Sequence, residues 1–250
     1  MSKICWGTVL AMVLAGAAQA QTVTVCAERW VPFVYRDDNG EVKGLGAEVL
    51  QQVARQHDAT VHFQFLSMSG CYKQAAAGRA DVVAFATARE TPAGWLQNQR
   101  PLVYWPLHAW VSSTLPEQRY HELQQFAGLR VAWVPSYDYP QPLVKQTHWR
   151  RVEAPDTQAS FTMLAGGRVD VVFDDYQATQ DIARQLGGRV KRLEGLVASH
   201  HETFSIRPGL EWLRDGIEQE AARLAENGTL EQFYLQYFRV SWGQVLAVPH

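Results

Sequence analysis

Two periodicities take turns along the chain. Residues 23–26, 61–65 and 81–85 are apolar or alternating segments of strand length, and the segments between them carry apolar residues at helical spacing. Over 47–56, Val49, Leu50, Val53 and Ala54 share one helix face, and 71–77 predicts a short helix stopped by Gly78. Asp37-Asp38-Asn39-Gly40 predicts a turn, because Asn and Asp bond their own backbone and Gly adopts positive φ freely. The order is βαβαβ. Strands that alternate with helices pair in parallel, and such sheets bind ligands beyond the carboxyl ends of their strands. Cys26, Trp30, Cys71 and the loop from Ala86 through Ala88 to Arg89 fall at that edge.

The alternation resumes downstream. Strands are expected at 131–134 and 170–173, helices at 159–165 and 176–186, and an edge strand at 190–193. The segment VYWPLHAW, residues 103–110, has strand character and suits a hinge, and 203–206 reads as a crossing back. Leu210, Leu213, Ile217, Ala221 and Leu224 recur at three- and four-residue spacing and predict an amphipathic helix. Asn227-Gly228 ends it, and Thr229 with Gln232 reads as the capping box of a last helix. An internal repeat ties the halves together: GRADVVAF starts at Gly78 and GRVDVVF at Gly167. Helix–Gly–strand turns are common, but the shared Gly-Arg-x-Asp-Val-Val favours two similar α/β lobes.

Charge narrows the partners. The 250 residues carry 23 Lys and Arg against 25 Asp and Glu, for a formal net charge of -2, so no basic excess points to nucleic acid or an acidic membrane surface. Lys3, the apolar run over 6–15 and the small-x-small Ala18-Gln19-Ala20 read as a secretory signal peptide over 1–20, cleaved between Ala20 and Gln21. The run is shorter than the roughly 20 residues a bilayer span needs, so the chain is not expected to span a membrane. Beyond it Cys26 and Cys71 remain, an even pair in an oxidising compartment. One disulfide is expected, the alternative being two buried free thiols. No phosphate loop, nucleophile elbow or zinc signature appears. His200-His201-Glu202 reads as a solvated turn rather than a metal site.

Six segments then stand in order: ERWVPFVYRDDNGEVKGLGAEVLQQVA, AAAGRADVVA, GLRVAWVPS, LAGGRVDVVFDD, TFSIRPG and ENGTLEQFYLQYF. Through them the chain resembles the bacterial periplasmic (extracellular) solute-binding proteins of family 3, the polar amino-acid-binding type, over essentially all of 21–250. The most characteristic piece is PF-x(6)-G-x(3)-G from Pro32-Phe33. The resemblance implies an α/β, two-lobed periplasmic binding protein fold (type II). Each lobe would be a mostly parallel sheet flanked by helices, joined by two hinge strands. Residues 21–111 and 204–250 would form lobe 1, with 112–203 inserted as lobe 2. It further implies a periplasmic monomer, without cofactor or catalysis, that closes on a small molecule and serves an ABC permease or a sensor receptor.

The resemblance also implies a site. The aromatic before Pro-Phe, here Trp30, would stack on the ligand. The family's serines fall on Phe85, Ala86 and Ala88, and its carboxylate-binding arginine falls on Ala93 or Gly94. Neither offers a side-chain donor. Arg89 either replaces that arginine from the same loop or pairs with a surface acid such as Glu90. The loop after 131–134 contributes Ser136, Tyr137 and Asp138, with Tyr139 beyond. The family's acid for a ligand ammonium maps to Asp175, beside Asp174, and one of the two also suits a helix N-cap. With the acid kept, the clamp displaced and aromatic faces added, the expected ligand is cationic or amphipathic: an amine, a modified amino acid or a small peptide-like metabolite. Two alternatives accompany this reading. One is a free-standing sensor or accessory protein. The other is a cyclohexadienyl dehydratase-like enzyme with Glu28 or Asp175 as its acid, which would need the missing clamp.

Overall fold

A computed structural model describes residues 21–86, 92–100 and 102–248, without the side chain of Ala178. The first segment runs β1 (Gln21–Ala27), a hairpin of β2 (Tyr35–Arg36) and β3 (Val42–Lys43), α1 (Leu45–Gln56), β4 (Ala59–Phe65), α2 (Met68–Ala76) and β5 (Val82–Ala86). β6 (Leu96–Gln97) and the long β7 (Val103–Ser112) follow. Next come β8 (Arg130–Trp133), α3 (Gln141–Val144), β9 (Arg150–Glu153), α4 (Thr157–Ala165), β10 (Val171–Asp174), α5 (Tyr176–Gln185) and β11 (Val190–Arg192). β12 (Ala198–Ile206) leads into α6 (Glu211–Glu226), α7 (Thr229–Phe238) and α8 (Trp242–Ala247).

Two parallel blocks are joined by antiparallel strands. β1 lies between β4 and β5, parallel to both, and β8 lies between β10 and β9, parallel to both. β12 pairs antiparallel with β5 and then with β7, and β7 pairs antiparallel with β10. The β7–β12 pairing, from Glu202 opposite Val103 to Ala198 opposite Leu107, is the crossing between the blocks. Apolar cores sit on either side of it. Val23, Leu50, Phe204, Ile217 and Tyr234 belong to one, and Leu107, Val131, Phe173 and Leu193 to the other. Within β7 the core changes between Tyr104 and Trp105. The fold is α/β and two-lobed.

The internal repeat is physical. Arg79 N–H bonds Gln74 C=O and Arg168 N–H bonds Met163 C=O, both at 2.9 Å, so each helix ends in the same six-residue wrap. The glycine inside each wrap takes positive φ, 66° at Gly78 and 68° at Gly167. The aspartate that follows accepts a backbone N–H from the neighbouring strand: Thr24 to Asp81 at 2.9 Å and Arg130 to Asp170 at 2.8 Å. The second glycine of PF-x(6)-G-x(3)-G is explained as directly. Gly44 has φ 111°, and a Cβ there would lie 2.5 Å from the backbone of Pro32 and Phe33.

The structure corrects several boundaries. α2 begins at Met68, because Ser67 Oγ accepts the N–H of Gly70. Thr229 is not a cap: Gly228 holds that position, at φ 78°. Nor is α7 the last helix, since the capping box lies at Ser241 and Gln244 and starts α8. His200 and His201 lie within β12, not in a solvated turn. The Cys26–Cys71 disulfide is present, with Cα atoms 5.4 Å apart. Among the described residues no helix is long and apolar enough to cross a membrane.

Candidate functional site

The loop leaving β1 carries the first wall. Trp30 and Val34 exchange backbone N–H···O bonds of 2.8 Å each way, and Phe33 N–H also reaches Trp30 C=O, so Trp30 opens a fixed turn just after Glu28 and Arg29. The Trp30 ring meets Phe33 at 4.5 Å and the edge of Phe85 at 5.2 Å. Phe85 is the extra residue of a β-bulge: Phe204 stands opposite Ala84 and Thr203 opposite Ala86. Its φ of 61° is unusual for an aromatic residue and goes with that bulge.

The second wall comes from the other parallel block. The loop after β8 supplies Ser136, Tyr137 and Asp138, the start of α4 supplies Asp156 and Thr157, and the end of β10 supplies Asp174. Together with Glu28, Arg29, Trp30, Phe85, Trp105 and Glu202 they line a cavity of about 300 Å³. Two bonds span the walls. Trp30 Nε1–H donates to Asp175 Oδ2 at 2.7 Å, and the Tyr137 hydroxyl donates to Glu28 Oε1 at 3.4 Å.

Carboxylates dominate the charge of the lining. Glu28, Asp138, Asp156, Asp174 and Glu202 face one cation among the described residues, the exposed Arg29. Asp174 accepts from Thr157 Oγ1 at 2.7 Å, Asp175 N–H at 2.9 Å and Trp105 Nε1 at 3.1 Å. Burial nevertheless pushes its carboxyl up to about 6. Burial also raises Glu28, opposed by the Met68 N–H and the Tyr137 hydroxyl and helped by Asp156. Glu202 is the most perturbed of these acids: burial drives it up to about 8, with His200 opposing and Asp138 adding. His200 Nε2 lies 3.5 Å from Asp138 Oδ2. Burial alone would lower its pKa, but that contact and the charges of Glu202 and Asp138 raise it.

The residues anticipated from sequence fall in different places. Trp30, Ser136, Tyr137 and Asp138 come together on the cavity. Asp175 is fully buried against Trp30, and Asp174 lines the cavity instead. Ala86 is buried with Cys26, Cys71 and Val83. Ala88 and Arg89 lie outside the described residues, as does 1–20. Ala93 and Gly94 are exposed. Tyr139 is a core residue, stacked on Trp133 at 3.9 Å. Trp105, Asp156, Thr157 and Glu202 were not anticipated; they join the site only through the crossing of β7 with β12 and the entry into α4. Among the described residues no three His, Cys, Asp or Glu side chains assemble as metal ligands.

Residues 23–92 match the family model of bacterial extracellular solute-binding proteins, family 3. The chain resembles that family. Comparison with curated proteins returns no match. Among solved structures, an ancestral arginine-binding protein bound to arginine is 20% identical with a TM-score of 0.66, covering 87% of this chain and 98% of its own. An arginine-bound Gly52Ala mutant of ArgBP from T. maritima is 16% identical with a TM-score of 0.65, covering 81% and 95%. A histidine kinase sensor domain with similarity to periplasmic binding proteins is 19% identical with a TM-score of 0.69, covering 87% and 96%. At these identities the likeness is one of fold.

Proposed function

We propose that this is a periplasmic solute-binding protein that captures a small amine or amino-acid-like cation between two lobes, 21–111 with 204–250 and 112–203, and passes it to an ABC importer. One observation carries the charge preference: among the described residues, five carboxylates stand against one exposed arginine around an aromatic-walled cavity of about 300 Å³. A buried carboxylate is costly unless a cation or donors compensate it, so such a lining selects positive charge. Trp30, Phe85 and Trp105 add apolar faces for the ligand's carbon skeleton and for cation–π contact. The family match over 23–92, the separate apolar cores on either side of the β7–β12 crossing and the signal-like N-terminus support the compartment and the two-lobed capture. The role is binding without catalysis.

A sensory role is the second reading, favoured by the fold shared with a kinase sensor domain. Both readings need a ligand. Melting the purified protein against standard amino acids, polyamines, aromatic amines and small peptides tests them together. A ligand at about 1,000 times its Kd adds about 4 kcal/mol, or roughly 8–16 °C in a chain of this size. Stabilisation by amines supports the proposal. Stabilisation by acidic amino acids alone overturns it. Arg89→Ala, assayed with whichever ligand carries a carboxylate, then tests the relocated clamp.

A further inference from the structure

Glu202 is the unexplained group in the cavity. It lies on β12 opposite Val103, is 7% exposed and lines the cavity. Its carboxylate accepts no hydrogen bond from the described residues, and its neighbours His200 and Asp138 act on it through charge alone. Buried carboxylates normally collect N–H or O–H donors, so an acid left without them in a cavity wall is matched to something that enters the cavity. Glu28 and Asp174 form a separate grouping around Tyr137 and Thr157. The cavity therefore presents two carboxylate groupings and an aromatic lining.

We propose that Glu202 takes a second cationic nitrogen, so that the site holds a linear diamine with one ammonium at Glu28 and Asp174 and the other at Glu202. The proposal rests on reading the cavity as an amine site and goes further by naming two charges and no carboxylate. Ala93 and Gly94 stand where a carboxylate clamp would be expected, and Arg29, the lone cation among the described lining residues, is exposed. Methylenes between the two nitrogens suit the faces of Trp30, Phe85 and Trp105. Burial holds the Glu202 carboxyl up to about 8, so an ammonium beside it favours loss of its proton.

Titration calorimetry at pH 7.5 with 1,5-diaminopentane, pentylamine and L-lysine tests this on wild type and Glu202→Gln. A charge-assisted contact is expected to make the diamine about tenfold or more tighter than pentylamine. The diamine is also expected to bind tighter than lysine, and Glu202→Gln should remove most of its advantage over pentylamine. A ratio near one in wild type, a ratio unchanged in Glu202→Gln, or tighter binding of lysine overturns the diamine while leaving the amine site standing. Absence of binding by all three overturns both. Should Glu202→Gln not fold, wild-type titrations in buffers of different ionisation enthalpy serve instead. The diamine is expected to release more protons than pentylamine, and equal release overturns the proposal.

Discussion

The indole N–H of Trp30 donates to Oδ2 of Asp175 at 2.7 Å. One residue leaves β1 and the other follows β10, and this is the shorter of the two bonds that span the walls of the cavity. These are the residues that sequence reasoning placed against the ligand, one to stack and one to bind an ammonium. They bond each other, and Asp174 faces the cavity in place of Asp175.

Trp30→Phe keeps an aromatic face and removes that donor. A buried carboxylate that loses one donor costs about 1–3 kcal/mol, which in a chain of this size lowers the melting temperature by roughly 2–12 °C. Thermal melts of the variant check this. An unchanged melting temperature would mean that the bond does not hold the walls together.

Stability should fall as pH rises through the neutral range. Glu202 is held up to about 8 when folded but titrates near 4.5 unfolded, so between those values the unfolded chain binds fewer protons. Its contribution is full below about 4.5 and is lost as pH approaches 8. Asp174, held up to about 6, acts in the same direction over a lower window. His200, raised by Asp138 and Glu202 against its burial, also favours the lower pH. Melts across pH 5–9 should show the decline, and Glu202→Gln should flatten its upper part.

Reduction should loosen the first lobe. The Cys26–Cys71 bond closes a 45-residue separation, worth about 4 kcal/mol in the loop-entropy model. Paired Cys→Ser substitutions should lower the melting temperature by roughly 8–16 °C. Reductant should do the same to wild type and nothing further to the variant.

The repeated aspartates should matter alike for their shared backbone bond. Asp170 also pairs with the Arg130 side chain, which holds its carboxyl below the usual value. That contribution is present above the ordinary aspartate pKa and is lost as pH falls through the folded one. Asp170→Asn keeps a backbone acceptor and Asp170→Ala does not, so Ala should destabilise more. The difference is read by urea titration.

The lobes were legible because burial follows period. Val49, Leu50, Val53 and Ala54 all lie buried on α1, and the Gly-Arg-x-Asp repeat ends two helices and begins two strands by the same bonds. The cavity was half legible. Trp30, Tyr137 and Asp138 follow strand ends, where a parallel sheet puts its ligands. Glu202 and Trp105 were not, because their place depends on how β7 and β12 cross, a long-range pairing that leaves no local pattern. The pair Asp174-Asp175 shows the remaining limit: adjacent acids differ only in which way each faces, and the bond to Trp30, 145 residues away in sequence, decides it.

The central claim is that the cavity selects positive charge. Calorimetric titration of the wild-type protein with 1,5-diaminopentane, tyramine and L-glutamate at one pH and low salt tests it most directly. Measurable binding of the amines, weakening as salt is added, with none by glutamate, is the predicted result. Glutamate binding as tightly as either amine would contradict it.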